Sequence, residues 1–363
     1  MTRICDVTIR ESEQLPGRAY DLEAKLAAGR ALDRLGVPLI QAGFPVVGET
    51  DRRAVSDLAE TVDADVVAIA RAMERDVDAA LAANADVIEL FAPLSDRQLT
   101  ATVETDRETM FDRFRRAIDR ATAGGATVHV TIMDAFRTDL EHLRSAGDRF
   151  DDVEVLGLAD TVGATPPHRV TEVLDRLAAD GIEPGRLGVH FHDDLGVATA
   201  NAITAAAHGV GRLDVSVASF GERAGNPSLE EVAILCDRDE YAALGLALEE
   251  LIPVCESVLE ALGESVDERK AVLGADVFEH ESGLHTAAML RDPSTFEPFD
   301  PATYGGQRTL LFGAGTGTGA ARQLLEDAGL EPTTDRVEAL LAVLDRNGPV
   351  PREAAVELAR DVE

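Results

Sequence analysis

Lysine is almost absent from this chain. Of the 34 Lys and Arg in 363 residues only Lys25 and Lys270 are lysines; tryptophan does not occur, and aromatic residues make up 4%. Basic charge as a whole is scarce, since 67 Asp and Glu bring the formal net charge to −33. A surface this acidic repels phosphate backbones and anionic headgroups, which argues against nucleic acid and membrane surfaces as partners. No apolar run approaches the roughly 18 residues of a membrane-spanning helix. The N-terminal stretch MTRICDVTIRESEQ has no apolar signal segment. A soluble, cytoplasmic protein is expected. The three cysteines, Cys5, Cys236 and Cys255, form no CxxC and read as small buried residues rather than as a disulfide or a metal cluster.

What is present is a hydrophobic fraction of 45%, spread along the whole chain and sufficient for a packed core rather than a disordered acidic segment. The acid is dispersed in the same way. Acid aimed at one basic partner comes in blocks, so the charge reads as adaptation to a salt-rich cytoplasm, where screening removes the self-repulsion. The composition resembles that of proteins from salt-accumulating organisms.

Through about residue 240 two periodicities alternate. Short β-rich runs occur at Arg3–Ile9, Pro38–Ala42, Asp65–Ile69, Asp86–Phe91, Thr127–Met133, Val153–Leu158, Leu187–His192 and Leu213–Ala218. Between them lie amphipathic stretches such as Asp21–Leu35, Thr109–Ala123, Pro167–Ala179 and Ala198–His208, with apolar residues at helical spacing. Eight strand–helix units in this length predict a TIM (β/α)8 barrel over residues 1–240. The first strand lacks the GxGxxG turn of a dinucleotide-binding fold, and the late glycine-rich run Gly313–Gly319 reads as a loop. Residues 241–363 break the pattern and read as a mainly helical C-terminal region, with helices at Tyr241–Leu262, Arg322–Gly329, Thr334–Asn347 and 352–362 around a loop-rich 271–308.

In such a barrel chemistry sits at the C-terminal ends of the strands. The seventh run ends in His190-Phe191-His192-Asp193-Asp194; imidazoles two apart on a strand point to the same side and form a candidate metal-ligand pair. The first run ends in Arg10-Glu11-Ser12-Glu13-Gln14, which taken alone reads rather as a solvated loop, and the eighth in FGERAGN at 220–226, a glycine-rich polar loop or part of a site. Closing an eight-stranded ring makes strands 7, 8 and 1 neighbours, so Glu11, His190 and His192 can converge on one divalent cation with Asn226 nearby, leaving coordination positions open for substrate.

Several segments then carry a resemblance. The strand-1 segment is similar to the D-T-T-L-R-[DE]-G-E-Q signature of the DRE-TIM metallolyase superfamily, HFHDDLG to its H-x-H-N-D-x-G element, and FGERAGNPSLEEV to the G-x-G-E-R-A-G-N-x-x-L-E-E segment of its isopropylmalate, homocitrate and citramalate synthases. ADTVG at Ala159–Gly163, HESGLH at His280–His285 and EPFDP also match. The lyase branch carries a cysteine loop near the third segment, whereas no Cys lies between Cys5 and Cys236.

The resemblance implies acyl transfer from acetyl-CoA to a 2-oxo acid with a divalent metal (Mg, Mn or Zn). The metal would be held by Glu11, His190 and His192, with Asn226 close to or on it. Arg10 would stabilise developing oxygen charge, with Gln14 beside it. Arg137 and Thr161 would hold the substrate carboxylate, and His285 would do acid–base work from a partner subunit of a homodimer. A metal-dependent lyase of the HMG-CoA lyase type and a non-catalytic derivative are the alternatives.

This sequence departs from the pattern at Ser12, where the family has Gly, at Asp193 in place of Asn, and at Met133 in place of Glu. It also has Gly-Thr-Gly near residue 315 where the family has His-Ser-Gly, and HESGLH continues as TAA. Asp193 is expected to add charge near the metal, and Met133 to remove a polar group from the barrel mouth. The length implies a short form without a regulatory domain.

Overall fold

The computed structural model describes residues 2–281 and 283–362. The strands are β1 Arg3–Asp6, β2 Leu39–Gly43, β3 Asp65–Arg71, β4 Val87–Pro93, β5 Thr127–Met133, β6 Val155–Asp160, β7 Leu187–Phe191 and β8 Arg212–Val215, in a closed barrel in sequence order. Closure is parallel, β1 pairing with β8 through Cys5↔Asp214 and Asp6↔Val215. The expected (β/α)8 barrel is therefore the observed one.

The intervening helices follow their sequence signals. Helix Leu22–Leu35 starts where Asp21 accepts the Ala24 amide and stops at Gly36 with φ 84°, the left-handed C-terminal stop that glycine adopts without a Cβ penalty. Helix Arg107–Ala123 is capped by Asp106 and buries Met110, Phe111, Phe114, Ala117, Ile118 and Ala121, one apolar stripe against the strands. Beneath the barrel mouth Cys5, Val7, Leu39, Val67 and Val87 form an apolar cluster. All three cysteines are free and buried.

The first and last strands are shorter than the sequence predicts. β1 ends at Asp6, whose carboxylate accepts the Thr8 amide (2.9 Å) and hydroxyl (3.0 Å). This side-chain bond diverts the backbone from strand to helix, and Thr8–Glu11 form a helical turn. β8 gives way after Val215 to a 3-10 turn, Val217–Ser219, with Ala218 and Ser219 at φ 55° and 63°.

By its contacts the chain divides into two units, Met1–Ala247 with Pro253–Ser265, and Leu248–Ile252 with Val266–Glu363. Helix is confined to Leu251–Leu262 within the expected Tyr241–Leu262. The second unit holds helices Gly283–Met289, Thr318–Asp327, Thr334–Asn347 and Arg352–Arg360 and a small sheet of Glu279–His280, Thr309–Phe312 and Val350–Pro351. Its core packs Phe312, Leu324, Leu325, Leu340 and Leu344. Among the described residues no helix is long and apolar enough to cross a membrane.

Candidate metal centre at the barrel mouth

Three segments meet over the C-terminal ends of β7, β8 and β1. The helical turn Thr8–Glu11 lifts Arg10 and Glu11 over the mouth. His190 lies within β7, and His192 stands just past its end. Glu11, His190 and His192 are all buried, and their ligand atoms lie within 4.8 Å of one another. His190 Nε2 is 3.5 Å from Glu11 Oε1.

Each ring is oriented from behind. His190 Nδ1 bonds Asp214 Oδ2 at 3.0 Å, and His192 Nδ1 bonds the Asp160 carbonyl at 3.2 Å. A carboxylate and a carbonyl only accept, so each ring carries its proton on Nδ1 and turns the Nε2 lone pair toward the cavity. His192 Nε2 is buried without a hydrogen-bond partner; Glu222 Oε2 stands 3.7 Å away. A buried acceptor left open, beside a second imidazole and a carboxylate, is the donor set of a divalent-cation site. The residues fit the group that the sequence implies.

The protonation states agree. Burial pushes the Glu11 carboxyl up, but Arg10 and both imidazoles outweigh it and hold it below the usual range. Burial, with the neighbouring His190, lowers His192 to about 4. Burial also lowers His190, yet its bond to Asp214 and the charge of Glu11 lift it above the ordinary value. Protons therefore compete for this site at His190 first. Divalent-metal affinity is expected to fall as pH is lowered from about 8 to about 6, read by Mn²⁺ titration calorimetry. An affinity unchanged over that range would show that His190 is not a ligand.

Around the trio the polar contacts close a ring. Arg10 pairs with Glu11, and its Nε donates to Gln41 Oε1 at 2.6 Å. Gln41 Nε2 donates to Glu89 Oε2 at 2.7 Å, and Arg212 donates to Glu89 Oε1 at 2.6 Å. Arg212 pairs with Asp214 at 2.8 Å, which returns to His190. Gln14, in the orientation that satisfies both amide atoms, donates to Glu11 and Glu222 and accepts from Arg10.

The trio opens into a cavity of about 120 Å³ whose wall includes Ile69, Phe91, Met133 and Ala159. Thr161 also lines it; its oxygen accepts the Asp134 amide, so its hydroxyl proton is available to a bound anion.

Other expected residues stand elsewhere. Asn226 is fully buried beside the trio, its Nδ2 at 3.3 Å from His190 Nε2 and 3.0 Å from the Phe191 carbonyl, while its Oδ1 packs where a Gly221 Cβ would lie. Arg137 lines a neighbouring polar cavity with Ser95, Arg97 and Arg107, bound to Asp134 at 2.6 Å, and is not among the residues lining the trio's cavity. His285 lies on helix Gly283–Met289 of the second unit, stacked on Phe296 with ring centroids 3.9 Å apart.

Asp193 directly follows His192. Its carboxylate accepts the Ala198 amide at 2.7 Å, at the start of helix Ala198–Ala207, where the helix dipole favours an anion. Met133 lines the cavity as expected.

The loops are tied together. Arg223 holds Asp194 through two bonds of 2.8 Å and the Thr161 carbonyl at 2.9 Å, joining the segments after β6, β7 and β8. Gly225, at φ +93°, leaves no room for a Cβ, which would fall 1.7 Å from the Ser219 carbonyl. Lys25, one of the two lysines, is fully buried and donates to Glu13 and Asp51, each at 2.6 Å. It fastens the segment after β1 to that after β2.

Sequence reasoning missed Gln41, Glu89, Arg212 and Asp214. The signal was there for three of them: Gln41, Glu89 and Asp214 are polar residues inside runs read as strands, and strands of a parallel barrel are expected to be near-continuously hydrophobic, while Arg212 stands one residue before the run read from Leu213.

The HMGL-like family matches residues 1–258, and the homocitrate synthase post-HMGL domain-like family matches residues 272–347. The chain is 36% identical to a homocitrate synthase of Methanosarcina mazei, over 99% of this chain and 88% of the relative. It is 36% identical to a Methanopyrus kandleri protein named as an (R)-citramalate synthase (95% of this chain, 69% of the relative). A second protein of that organism, named as a 2-isopropylmalate synthase, is 34% identical (93% and 68%). Among solved structures the HMG-CoA lyase of Bacillus subtilis superposes with a TM-score of 0.65 at 21% identity, covering 74% of this chain and 96% of that one, a likeness of fold. The chain belongs to the HMGL-like family. It is an acyltransferase of the type in which the acyl group becomes alkyl on transfer.

Proposed function

We propose that the protein condenses the acetyl group of acetyl-CoA with a 2-oxo acid, and that water then hydrolyses the thioester of the adduct to give a 2-hydroxy di- or tricarboxylate and free CoA, a step of amino-acid biosynthesis of the leucine or lysine type. The observation that carries this reading is the buried Glu11–His190–His192 trio sharing one cavity with Arg10, in a chain whose relatives bear synthase names.

Glu11, His190 and His192 would hold a divalent cation (Mg²⁺, Mn²⁺ or Zn²⁺), with Asn226 beside it. Bound there, such a cation polarises a keto oxygen as a Lewis acid. The protein's groups supply the rest. Arg10, fixed by Gln41 and Glu11, offers a preorganised cation to oxygen charge that develops as the carbon–carbon bond forms. Gln14 holds Arg10 and Glu11 in register. Thr161 donates to the 2-oxo acid carboxylate. Arg137 serves that carboxylate only if it leaves Asp134. His285 is assigned to acid–base work in a cytoplasmic homodimer on the match of HESGLH.

The test is release of free CoA from acetyl-CoA, in molar KCl with Mg²⁺ or Mn²⁺, on adding each of a panel of 2-oxo acids. Release with at least one acid, rising from low to molar salt as the −33 charge is screened, is the expected result. Cleavage of a hydroxy acid with no CoA release from acetyl-CoA would refute it in favour of a lyase.

A further inference from the structure

We infer that the 2-oxo acid accepted at this site carries a short, uncharged side chain, and that Glu89, with no uncommitted Lys or Arg among the described residues of the cavity wall, excludes dicarboxylic 2-oxo acids. The inference rests on the cavity being the 2-oxo acid site proposed above.

It follows from an inventory of charge. A dicarboxylic 2-oxo acid brings a second carboxylate, which in a buried cavity needs a cation or several donors. Among the described residues lining the cavity the one Lys or Arg is Arg10, and it is already engaged by Glu11 and Gln41. Arg212 is fully buried and shared between Glu89 and Asp214. Beyond Phe91 and Met133, in the adjoining apolar cavity, Arg71 is held by Asp76 through two bonds, and Arg113 lines that second cavity and not this one. Arg137 is held by Asp134.

The wall away from the metal trio offers the wrong chemistry for an anion. Glu89 presents a carboxylate that is ionised because Arg212 and Thr131 outweigh the cost of burying it. Thr131 spends its proton on Glu89 and presents an acceptor, while Gln41 spends one amide proton on Glu89 and its oxygen on Arg10, which leaves a single amide proton, too little for a carboxylate. Ile69, Phe91, Met133 and Ala159 complete the lining with apolar surface. With Glu222 at the rim, the fixed charges facing the cavity are three carboxylates and one guanidinium. The main donors available to a substrate, Thr161 and the remaining Arg10 protons, line the same cavity as the metal trio and serve the 1-carboxylate and keto group that every 2-oxo acid shares. A short apolar side chain meets the far wall without desolvating an unpaired charge. The names of the relatives do not make this choice, because homocitrate, citramalate and isopropylmalate synthases match about equally well.

The experiment titrates Mn²⁺-loaded protein in molar KCl with pyruvate, 2-oxobutyrate, 2-oxoisovalerate and 2-oxoglutarate by calorimetry, without acetyl-CoA, and then measures CoA release with each. At least one of the first three is expected to bind at least about tenfold more tightly than 2-oxoglutarate, the scale of a like-charge penalty. A smaller margin, tighter binding of 2-oxoglutarate, or no binding of any uncharged-side-chain acid overturns the inference. Binding in the expected order without CoA release leaves it standing and overturns the acyl-transfer reading instead. Two variants probe the cause, Met133→Arg, which adds a cation at the half-buried wall, and Glu89→Gln, which removes the far carboxylate. In whichever of these melts as a folded protein, 2-oxoglutarate binding is expected to gain about tenfold relative to the preferred acid; no gain overturns the assignment.

Discussion

Glu11→Ala and His190→Ala are each expected to lose divalent-metal affinity by at least about 100-fold, together with activity. The two losses are coupled because the trio is small and closed: the ligand atoms lie within 4.8 Å of one another, and no other His, Cys, Asp or Glu among the described residues joins the group. Removing Glu11 also frees Arg10 from its carboxylate, so the cation meant for the developing oxygen loses its anchor. Asp214→Asn makes a finer test. It leaves all three ligands in place but replaces the acceptor behind His190 Nδ1, and the expected cost is about 10- to 100-fold in metal affinity. Mn²⁺ titration and CoA release on the same preparations read both quantities. Metal binding or activity retained in either alanine variant would sink the assignment of these ligands.

The second large effect concerns stability. Arg212 is fully buried inside the barrel, contacting Glu89 at 2.6 Å, Asp214 at 2.8 Å and His129 at 2.9 Å. Arg212→Met keeps the volume and removes the charge, leaving the buried carboxylates of Glu89 and Asp214 without their shared cation. Breaking a buried ion pair from one side costs about 3–5 kcal/mol, and that is the expected loss in denaturant unfolding. Adding Glu89→Gln and Asp214→Asn removes the orphaned charges and is expected to recover most of the loss, since the desolvation cost goes with them. A loss below about 1 kcal/mol for Arg212→Met would mean that water or rearrangement satisfies the carboxylates. The network is thus at once the floor of the proposed substrate cavity and an electrostatic strut of the barrel.

The barrel was legible because its signal is repetitive. Alternation of strand and helix periods eight times over leaves few topologies, and capping residues such as Asp21 and Asp106 mark helix starts to within a residue or two. Strand ends were less legible. Arg3–Ile9 reads as one strand, but Asp6 captures the Thr8 amide and turns the chain, a local competition that periodicity does not register. Tyr241–Leu262 reads as one helix, yet helix begins only at Leu251; composition favours helix over the whole span and packing decides where it starts. His190, His192 and Glu11 could be picked out because closing a barrel makes strands 7 and 1 near neighbours around strand 8. Asp214 stands out only as a charge within a strand, and that it and the Asp160 carbonyl orient the two imidazoles shows only in the three-dimensional approach of 3.0 and 3.2 Å.

By itself the sequence determined the architecture, the polar segments at the barrel mouth and the kinship of the chain, because those depend on period, order and residue type. Only the tertiary structure decided which charges are free. Arg10, Arg137 and Arg212 look alike in the sequence as cations able to receive an anionic substrate. In the fold Arg212 is consumed by Glu89 and Asp214, Arg137 by Asp134 in a separate cavity, and Arg10 alone faces the metal trio's cavity. Coulombic pairing in a buried site depends on distances of a few ångströms between residues as far apart in the chain as 89 and 212, and sequence spacing carries no record of those distances.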